Sequence, residues 1–292
     1  MSELKKIGFI GTGIMGAAMA GHLMDAGFEV SVYNRTKSKA EKLIERGAHW
    51  CETAGECAKG QDVVITIVGY PKDVEQIYLA EGGIVDSAKD GAYLVDMTTS
   101  SPVVAEKIYK AAKLKNLHAV DAPVTGGDIG AKNATLSILV GGDKESFDAL
   151  KPVFEVLGKN IVYEGGAGAG QKTKIANQIA IAGTLAGVCE AFAYAKASGL
   201  DIEKVYAAIS TGAASSYQMS KVVRQGLDGD FKPGFMLKHL AKDLAIGTET
   251  ATAYGQALPI LGIVLHELRQ MEKDGKGAEA TQALLKYYGV VD

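Results

Sequence analysis

The fold class of this chain follows from Lys5-Lys6-Ile7-Gly8-Phe9-Ile10-Gly11-Thr12-Gly13-Ile14-Met15-Gly16-Ala17-Ala18-Met19-Ala20, near its start. An apolar run breaks at glycines and then resumes at helical spacing, which predicts a strand, a tight turn and a helix. Gly11, Gly13 and Gly16 form a G-x-G-x-x-G pattern. The glycines of this pattern allow a tight turn, a close approach of the backbone to a pyrophosphate, and close packing of the helix on the strand. The chain has 36 glycines, so the pattern alone is a weak signal.

The surrounding sequence favours a dinucleotide site over a plain glycine turn. An apolar strand precedes the glycines, and Met15, Met19 and Leu23 continue an apolar stripe along the helix that follows. A second strand over residues 30–33 ends about 20 residues further on, where the side chain that binds the ribose belongs. The free N–H groups at the start of a helix suit a phosphate. We therefore predict cofactor contacts from the whole turn: Gly11, Thr12, Gly13, Ile14, Met15 and Gly16.

The second strand ends in Asn34-Arg35-Thr36-Lys37 rather than in Asp or Glu. A carboxylate at this position would bind the ribose hydroxyls of NAD and repel an additional phosphate, whereas a guanidinium pairs with a 2′-phosphate through two hydrogen bonds. Asn34, Arg35 and Thr36 therefore predict a preference for NADP (NADPH), with NAD as the alternative cofactor. The competing interpretation is a solvated basic turn that opens the next helix, because Arg and Lys are common on surfaces.

Composition indicates a globular protein of two domains or one large one: 292 residues, 47% hydrophobic and 22% charged. The net charge of −3 gives no reason to expect nucleic acid or an acidic membrane as a partner. The three cysteines are odd in number and lack metal-ligand spacing, so neither a disulfide framework nor a metal site is expected. The first strand begins too close to Met1 to leave room for a signal peptide, and each apolar run has polar interruptions. We therefore expect a cytoplasmic protein.

The first half of the chain alternates between strand and helix patterns. Further strands are predicted over residues 63–68, 93–96, 118–123, 136–142 and 161–163, with helices over 39–46, 73–78 and 102–114. The run at 63–68 is apolar and β-branched almost throughout, as expected for a strand of a parallel sheet that is buried on both faces. Ligands of such sheets bind at the carboxyl ends of the strands.

The second half of the chain has only helical patterns. Residues 171–198 have helical apolar spacing and no proline, and about 28 residues exceed the usual length of a globular helix. Further helices are predicted over residues 202–210, 215–225, 236–252, 259–273 and 279–287. The predicted fold is an α/β Rossmann domain with a doubly wound, mostly parallel sheet over residues 1–165. A long helix joins it to an all-α domain over residues 166–292.

Two loops at predicted strand ends are candidates for ligand contact. Hydroxyl residues at 98–101 precede Pro102, which is a helix-capping pattern that remains compatible with binding a ligand. Thr125-Gly126-Gly127 offers a hydroxyl and exposed backbone N–H groups that can hold a carboxylate. A hairpin-type turn is the alternative interpretation of this second loop.

The long helix carries a candidate proton donor. Gln171, Lys174, Asn177 and Gln178 have helical spacing and share one polar stripe. A Lys ammonium can stabilise the charge that develops on oxygen when a carbonyl is reduced, and can donate the proton, while desolvation lowers its pKa towards the working range. Asn177 can orient a substrate. Considered without other information, a surface lysine is the commoner case.

Four motifs in order make the chain similar to the β-hydroxyacid dehydrogenase family, which includes 3-hydroxyisobutyrate dehydrogenase and the tartronate, glyoxylate and succinic semialdehyde reductases. They are the glycine pattern of residues 11–20, Asp121-Ala122-Pro123-Val124-Thr125-Gly126-Gly127, Gly170-Gln171-Lys172-Thr173-Lys174-Ile175-Ala176-Asn177, and Lys242-Asp243-Leu244. The similarity spans nearly the whole chain, and the four motifs together are far more specific than any one of them.

The resemblance implies a role for each motif. It makes Lys174 the catalytic acid and base, and it places the substrate carboxylate at Thr125, Gly126 and Gly127 together with Asn177. It also implies cofactor contacts from Val68, Gly69, Thr99 and Lys242, with Asp243 beside Lys242 near the substrate. The family pattern further implies dimers or tetramers built through the helical domains.

Three positions depart from the family pattern. The substrate loop usually has Ser where this chain has Thr125, so an added methyl group narrows the pocket. The turn after the third strand often reads Leu-Pro, whereas Val68-Gly69-Tyr70-Pro71 shifts the proline. Relatives that bind a second carboxylate have Arg in the region of residues 212–218, which here reads Gly-Ala-Ala-Ser-Ser-Tyr-Gln.

These observations predict an NADP-preferring oxidoreductase. It interconverts a small 3-hydroxy or ω-hydroxy carboxylic acid and its semialdehyde or keto acid, and succinic semialdehyde, glyoxylate and tartronate semialdehyde are examples. The alternatives are an imine reductase on the same fold and a non-catalytic NADP-binding protein. Lys174 argues against both, because relatives of either kind have lost this lysine.

Overall fold

A computed structural model describes residues 4–232 and 234–292 of the chain. The chain forms two compact units, Met1–Lys174 and Ile175–Asp292. The sequence placed the domain boundary after residue 165, where the glycine-rich run begins. The division by compactness falls a few residues later, within the long helix, because the first residues of that helix bond to the end of a strand of the first unit.

The described part of the first unit contains one nine-stranded sheet. Its strands are β1 (Lys6–Ile10), β2 (Glu29–Tyr33), β3 (His49–Trp50), β4 (Val63–Thr66), β5 (Tyr93–Asp96), β6 (His118–Asp121), β7 (Val124–Thr125), β8 (Leu136–Gly141) and β9 (Gly158–Gly165). Strands β3-β2-β1-β4-β5-β6 are parallel and adjacent in this order. This is the order of a doubly wound dinucleotide-binding sheet, so the predicted fold class is confirmed.

The far edge of the sheet is mixed. Strand β8 runs antiparallel to β6 and β7 and parallel to β9. The sequence left residues 125–127 open between a ligand-binding loop and a hairpin-type turn. In the structure β7 ends at Thr125, a short helix follows from Gly127, and β8 then returns beside β7. The segment is thus part of a strand–helix–strand return rather than a tight hairpin.

Helices cover the sheet of the first unit. They are α1 (Ile14–Asp25), α2 (Glu41–Glu45), α3 (Ala54–Ala58), α4 (Pro71–Leu79), α5 (Ile84–Ser87), α6 (Pro102–Lys113), α7 (Gly127–Lys132) and α8 (Lys144–Leu157), with a 3₁₀ turn at Lys37–Lys39. Helix α8, which buries Phe147, Leu150 and Phe154, was not among the helices predicted from the sequence. All four residues of β4 are buried, as its unbroken apolar sequence predicts.

The described part of the second unit is helical. Helix α9 (Ala169–Ala197) begins in the first unit and continues into the second, where it is followed by α10 (Ile202–Ile209), α11 (Arg224–Leu227), α12 (Leu237–Ala253), α13 (Pro259–Lys273) and α14 (Leu284–Tyr287). A π-helix at Gln218–Val223 precedes α11, and a 3₁₀ turn at Thr281–Ala283 precedes α14. The single helices predicted over 215–225 and 279–287 are therefore each divided.

Helix α9 is long and apolar enough to cross a membrane by length and composition. The same properties belong to a core helix of a soluble protein. In the second unit Leu185, Cys189 and Phe192 of α9 are buried in one apolar cluster with Leu240 and Leu268 of α12 and α13. This packing explains the apolar composition of the helix.

Candidate active site

The glycine turn has the geometry of a phosphate-binding turn. A Cβ atom on Gly11 would lie 2.1 Å from the Ile67 carbonyl oxygen, and its φ is +104°. A Cβ atom on Gly16 would lie 1.9 Å from the Gly11 carbonyl oxygen, so the helix packs against the strand only without a side chain there. A Cβ atom on Gly13 would meet nothing within 4 Å among the described residues. The outer glycines are needed for packing, whereas the space beside Gly13 is suited to a ligand.

Asn34 binds the glycine turn to the end of β2. Its Oδ1 accepts a hydrogen bond from the Thr12 amide at 3.2 Å, and its Nδ2 donates to the Thr36 carbonyl at 2.9 Å. The buried Thr12 hydroxyl has no hydrogen-bond partner among the residues that the structure describes. Unpaired buried polar groups are costly, so a group that binds at the turn is the natural partner of this hydroxyl. Ile14 is exposed and Met15 is half-buried.

Arg35 extends outward beside this turn. Its side chain is 78% exposed, and its Nη1 lies 3.5 Å from Oδ1 of Asp73. Oδ2 of Asp73 also accepts from the Tyr70 amide at the start of α4. An ion pair this exposed contributes about 0–1 kcal/mol, so an anion can displace it. Sequence reasoning missed Asp73, although an acidic residue at the third position of a helix is a capping signal.

The ends of β4 and β5 are joined by Thr98. Its hydroxyl accepts a hydrogen bond from the Val68 amide at 3.0 Å, and its own amide donates to Oδ1 of Asp96 at 3.1 Å. Val68, Gly69 and Thr99 are half-buried. The capping interpretation of residues 98–101 applies to Ser101, whose hydroxyl accepts from the Val103 amide in the first turn of α6. Thr98 instead connects the two loops in which cofactor contacts were predicted.

Asp96 is a buried carboxyl behind this loop. Its Oδ1 also accepts from the Thr66 hydroxyl at 2.8 Å, while its Oδ2 has no hydrogen-bond partner among the described residues. A small cavity lined by Asp96, Tyr78 and Asp121 lies next to it. Burial raises the pKa of Asp96 to about 6, and the neighbouring Asp121 carboxylate acts in the same direction.

The predicted substrate loop follows β6. Thr125 is half-buried, and Gly126 and Gly127 are exposed. Gly126 has a φ of +127° and Gly127 a φ of +63°, which are conformations that residues with a side chain rarely adopt. Both amides belong to the start of α7. The loop therefore presents a hydroxyl and the N–H groups of a helix start, which is a donor set suited to a carboxylate.

Lys174 lies in the second turn of α9 and is only 6% exposed. The residue pattern alone favoured a surface lysine, whereas Lys174 is buried in the structure. The preceding turn carries Gln171, which is fully buried. Lysines are rarely buried without a functional or structural partner, so this position is a candidate for chemistry.

The remaining predicted residues form a hydrogen-bonded chain within the second unit. Nδ2 of Asn177 donates to Oε1 of Gln178 at 2.8 Å, and Nε2 of Gln178 donates to Oδ2 of Asp243 at 2.6 Å. Nζ of Lys242 lies 3.1 Å from Oδ1 of Asp243, whose side chain is 2% exposed. Asn177, Lys242 and Asp243 are thus brought together, and Gln178 connects them.

Known proteins share both parts of this architecture. A family model described as the NAD binding domain of 6-phosphogluconate dehydrogenase matches residues 6–165. A second model, described as NAD-binding of NADP-dependent 3-hydroxyisobutyrate dehydrogenase, matches residues 168–288. Together they account for nearly the whole chain, and they meet close to the start of α9.

Named relatives cover most of the chain as well. A probable 3-hydroxyisobutyrate dehydrogenase-like protein of Arabidopsis thaliana is 47% identical over 96% of this chain and 84% of its own length. The 2-hydroxy-3-oxopropionate reductase of Escherichia coli is 37% identical over 87% of each chain. The solved structure of Mycobacterium tuberculosis 3-hydroxyisobutyrate dehydrogenase with L-serine has a TM-score of 0.90 at 27% identity, and the match covers 97% of this chain and 99% of that one.

The glycine turn fits a dinucleotide, the sheet has the matching strand order, and the family models and relatives agree on the class of enzyme. The chain therefore belongs to the β-hydroxyacid dehydrogenase family and is an NAD(P)-dependent oxidoreductase that acts on the CH–OH group of small hydroxy acids.

Proposed function

We propose that this protein is an NADP-preferring enzyme that interconverts a small 3-hydroxy or ω-hydroxy carboxylic acid and its semialdehyde or keto acid, with Lys174 as general acid and base. The observation that carries this proposal is the burial of Lys174, which is 6% exposed on the helix that starts beside the carboxyl ends of β5 and β6. Ligands of doubly wound sheets bind at these ends, so a buried lysine there is well placed for chemistry.

The proton transfer assigned to Lys174 follows from the charge changes of the reaction. The bound nicotinamide supplies the hydride in reduction and accepts it in oxidation. As the carbonyl carbon of the substrate is reduced, negative charge develops on its oxygen, which the Lys174 ammonium stabilises and then protonates. In the reverse direction the neutral amine takes the proton from the hydroxyl.

The substrate carboxylate is assigned to Thr125, Gly126 and Gly127, and to the Asn177 amide. The Thr125 hydroxyl and the amides of the two exposed glycines are the donors that support this assignment. Asp243, bonded to Gln178 and paired with Lys242, is assigned a supporting role at the substrate, and Lys242 a cofactor contact. The region 212–218 contains no arginine that could bind a second carboxylate, so we propose a substrate with one carboxylate rather than a dicarboxylate.

The preference for NADP is assigned to Arg35, with Asn34 and Thr36 beside it. The exposed guanidinium of Arg35 and its weak pairing with Asp73 support this assignment, because the group is available to a 2′-phosphate. The pyrophosphate is assigned to the turn from Gly11 to Gly16, and further cofactor contacts are assigned to Val68, Gly69 and Thr99. The description of the family model that matches residues 168–288 names an NADP-dependent dehydrogenase, which supports the choice of NADP.

We further propose a cytoplasmic homodimer or homotetramer. Ile260 and Ile263, on α13 of the second unit, are 59% and 57% exposed, which supports association through the helical unit. Sedimentation of the purified protein would give the oligomeric state directly, and a monomer at micromolar concentration would contradict this part of the proposal.

A substrate panel tests the proposed reaction. Tartronate semialdehyde, succinic semialdehyde and glyoxylate would each be supplied with NADPH or NADH, and cyclic imines would be included in the same panel. We expect NADPH oxidation with at least one of the carboxylate-bearing aldehydes. Reduction of imines alone would support the imine reductase alternative, and cofactor binding without turnover of any compound would support a non-catalytic protein.

A further inference from the structure

The start of the helix that carries Lys174 is bonded to the end of β6 by Asp121. Oδ1 of Asp121 accepts from the Gly168 amide at 2.7 Å, and Oδ2 accepts from the Gln171 amide at 2.8 Å. The carboxylate is 4% exposed. Amides at a helix start have no partner within the helix, and hydrogen bonds to a charged acceptor are stronger than neutral ones. Asp121 therefore fixes the first turn of α9 to the sheet.

Close backbone packing leaves this turn little freedom to move. A Cβ atom on Gly170 would lie 2.3 Å from the Leu139 carbonyl oxygen. A Cβ atom on Gly141 would lie 2.7 Å from both the Asp121 carboxylate and the Gly170 amide. The helix start, the Asp121 carboxylate and β8 are thus in direct contact. Backbone atoms of β8 block a movement of the helix start towards that strand.

Gln171 binds the same turn to the loop after β5. Its Oε1 accepts from the Ser100 amide at 2.8 Å, and its Nε2 donates to the Thr98 carbonyl at 2.7 Å. These two peptide groups flank Thr99, for which a cofactor contact is proposed. Gln171 is fully buried, so both hydrogen bonds are protected from water.

Lys174 follows Gln171 by three residues, which places the two side chains on neighbouring positions of one helix face, with Cβ atoms about 5–6 Å apart. We propose that Asp121 and Gln171 are positioning residues. Asp121 fixes the helix start that carries Lys174 to the sheet, and Gln171 fixes the loop of residues 98–100 to the same helix start. The proton donor and the cofactor loop then keep a constant separation. This proposal rests on the proposed role of Lys174.

A purely structural role is the competing explanation. Loss of a helix cap lowers stability but leaves the turnover of the folded enzyme unchanged. A positioning role predicts a loss of turnover, because a displacement of about 1 Å at reacting groups can cost about 100-fold in rate. The two explanations therefore differ in the kcat expected for variants of Asp121 and Gln171, and in whether the fall in kcat requires Lys174.

The central experiment is a double-mutant cycle with Asp121→Asn and Lys174→Ala. Asp121→Asn keeps the shape of the side chain but replaces one acceptor oxygen with an NH₂ group, so that either Gly168 or Gln171 loses its acceptor. We expect kcat to fall about 10- to 100-fold in the otherwise unchanged enzyme, with NADPH affinity within about threefold. In the Lys174→Ala background the same change should leave the residual kcat nearly unaffected.

Two further variants keep the test decisive. Asp201→Ala is the control, since Asp201 caps α10 through Oδ1, which accepts from the Glu203 and Lys204 amides at 2.9 and 3.1 Å, and Ala removes this cap. It should lower the melting temperature without changing kcat. Gln171→Glu retains the acceptor for Ser100 but loses the donor to Thr98, and it replaces Asp121→Asn in the cycle if that variant does not fold. We expect Gln171→Glu to lower kcat and to weaken NADPH binding.

The outcomes separate the two proposals. If Asp121→Asn and Gln171→Glu lose stability but keep the parental kcat, the positioning role is wrong. If either variant lowers kcat by the same factor with and without Lys174, the residue does not act through Lys174, and the proposal also fails. If Lys174→Ala alone keeps near-normal turnover, the failure belongs to the proposed function.

Discussion

The Asn34 side chain accepts a hydrogen bond from the Thr12 amide at 3.2 Å, across 22 residues of sequence. This bond connects the residue after β2 directly to the glycine turn. The ribose end and the pyrophosphate end of the proposed cofactor site therefore belong to one hydrogen-bonded unit, and Arg35 extends from it into solvent. A change at Arg35 can alter the choice of cofactor without disturbing the turn.

Replacing Arg35 by Asp should therefore weaken NADPH far more than NADH. The new carboxylate repels the 2′-phosphate, while the 2′-hydroxyl of NADH can donate a hydrogen bond to it. We expect the Kd of NADPH to rise at least about 10-fold, as for the loss of a charged hydrogen bond of about 1.5–3 kcal/mol. Fluorescence titration with both cofactors measures it. Lys42→Asp, on the exposed face of α2, makes the same change in net charge and serves as the control. An equal effect on both cofactors would show that Arg35 does not read the phosphate.

Removal of the Lys174 side chain should abolish most of the turnover. Loss of a general acid typically costs about 100-fold or more in kcat, and we expect Lys174→Ala to do so while NADPH affinity is nearly kept. Lys172→Ala is the matched control on the same helix, because Lys172 is exposed and pairs with Glu106 at 3.0 Å. Steady-state kinetics with the best aldehyde of the panel gives both values, and near-normal turnover of Lys174→Ala would exclude the assigned role.

The hydroxyl of Thr125 should matter more than its methyl group. Thr125→Val removes one donor to the substrate carboxylate, and a hydrogen bond to a charged group contributes about 1.5–3 kcal/mol, or roughly 10- to 100-fold in kcat/KM. Thr125→Ser keeps the donor and should retain or improve kcat/KM. If Val and Ser behave alike, the carboxylate does not bind at this hydroxyl.

The stability of the first unit should depend on the protonation of Asp96. Burial raises the pKa of Asp96 in the folded chain to about 6, above its value in an unfolded chain, so the folded state binds the proton more tightly. Its stabilising contribution is present below about pH 4 and is lost as the pH rises through about 6, with a total of about 3 kcal/mol.

The variant Asp96→Asn, which keeps an acceptor for Thr66, should remove this dependence. Denaturant unfolding of both proteins between pH 4 and 7 would measure it. The unfolding free energy of the parent protein, relative to Asp96→Asn, should fall across the interval, and a constant difference would contradict the raised pKa.

Helix and strand patterns were sufficient for the class of fold, because they depend on local periodicity. The buried, β-branched run that became β4 and the long proline-free run that became α9 could be recognised without knowledge of their partners. Helix α8 was missed although its apolar residues have helical spacing. The division of residues 215–227 into a π-helix and α11 also escaped prediction, because local spacing does not distinguish the two kinds of helix.

The glycine turn was predictable from the sequence, because Gly11 and Gly16 leave no room for a Cβ atom beside residues that are near them in the chain or at the end of the neighbouring strand. The partners of Asp121, Gln171 and Asp96 could not be read in the same way. Asp121 bonds to a residue 50 positions away and Gln171 to one 71 positions away, and these pairs exist only because the sheet brings the ends of β5 and β6 together beside the start of α9. Local patterns thus predicted the strand, the turn and the helix, whereas the burial and hydrogen bonding of the polar side chains depended on how those elements pack.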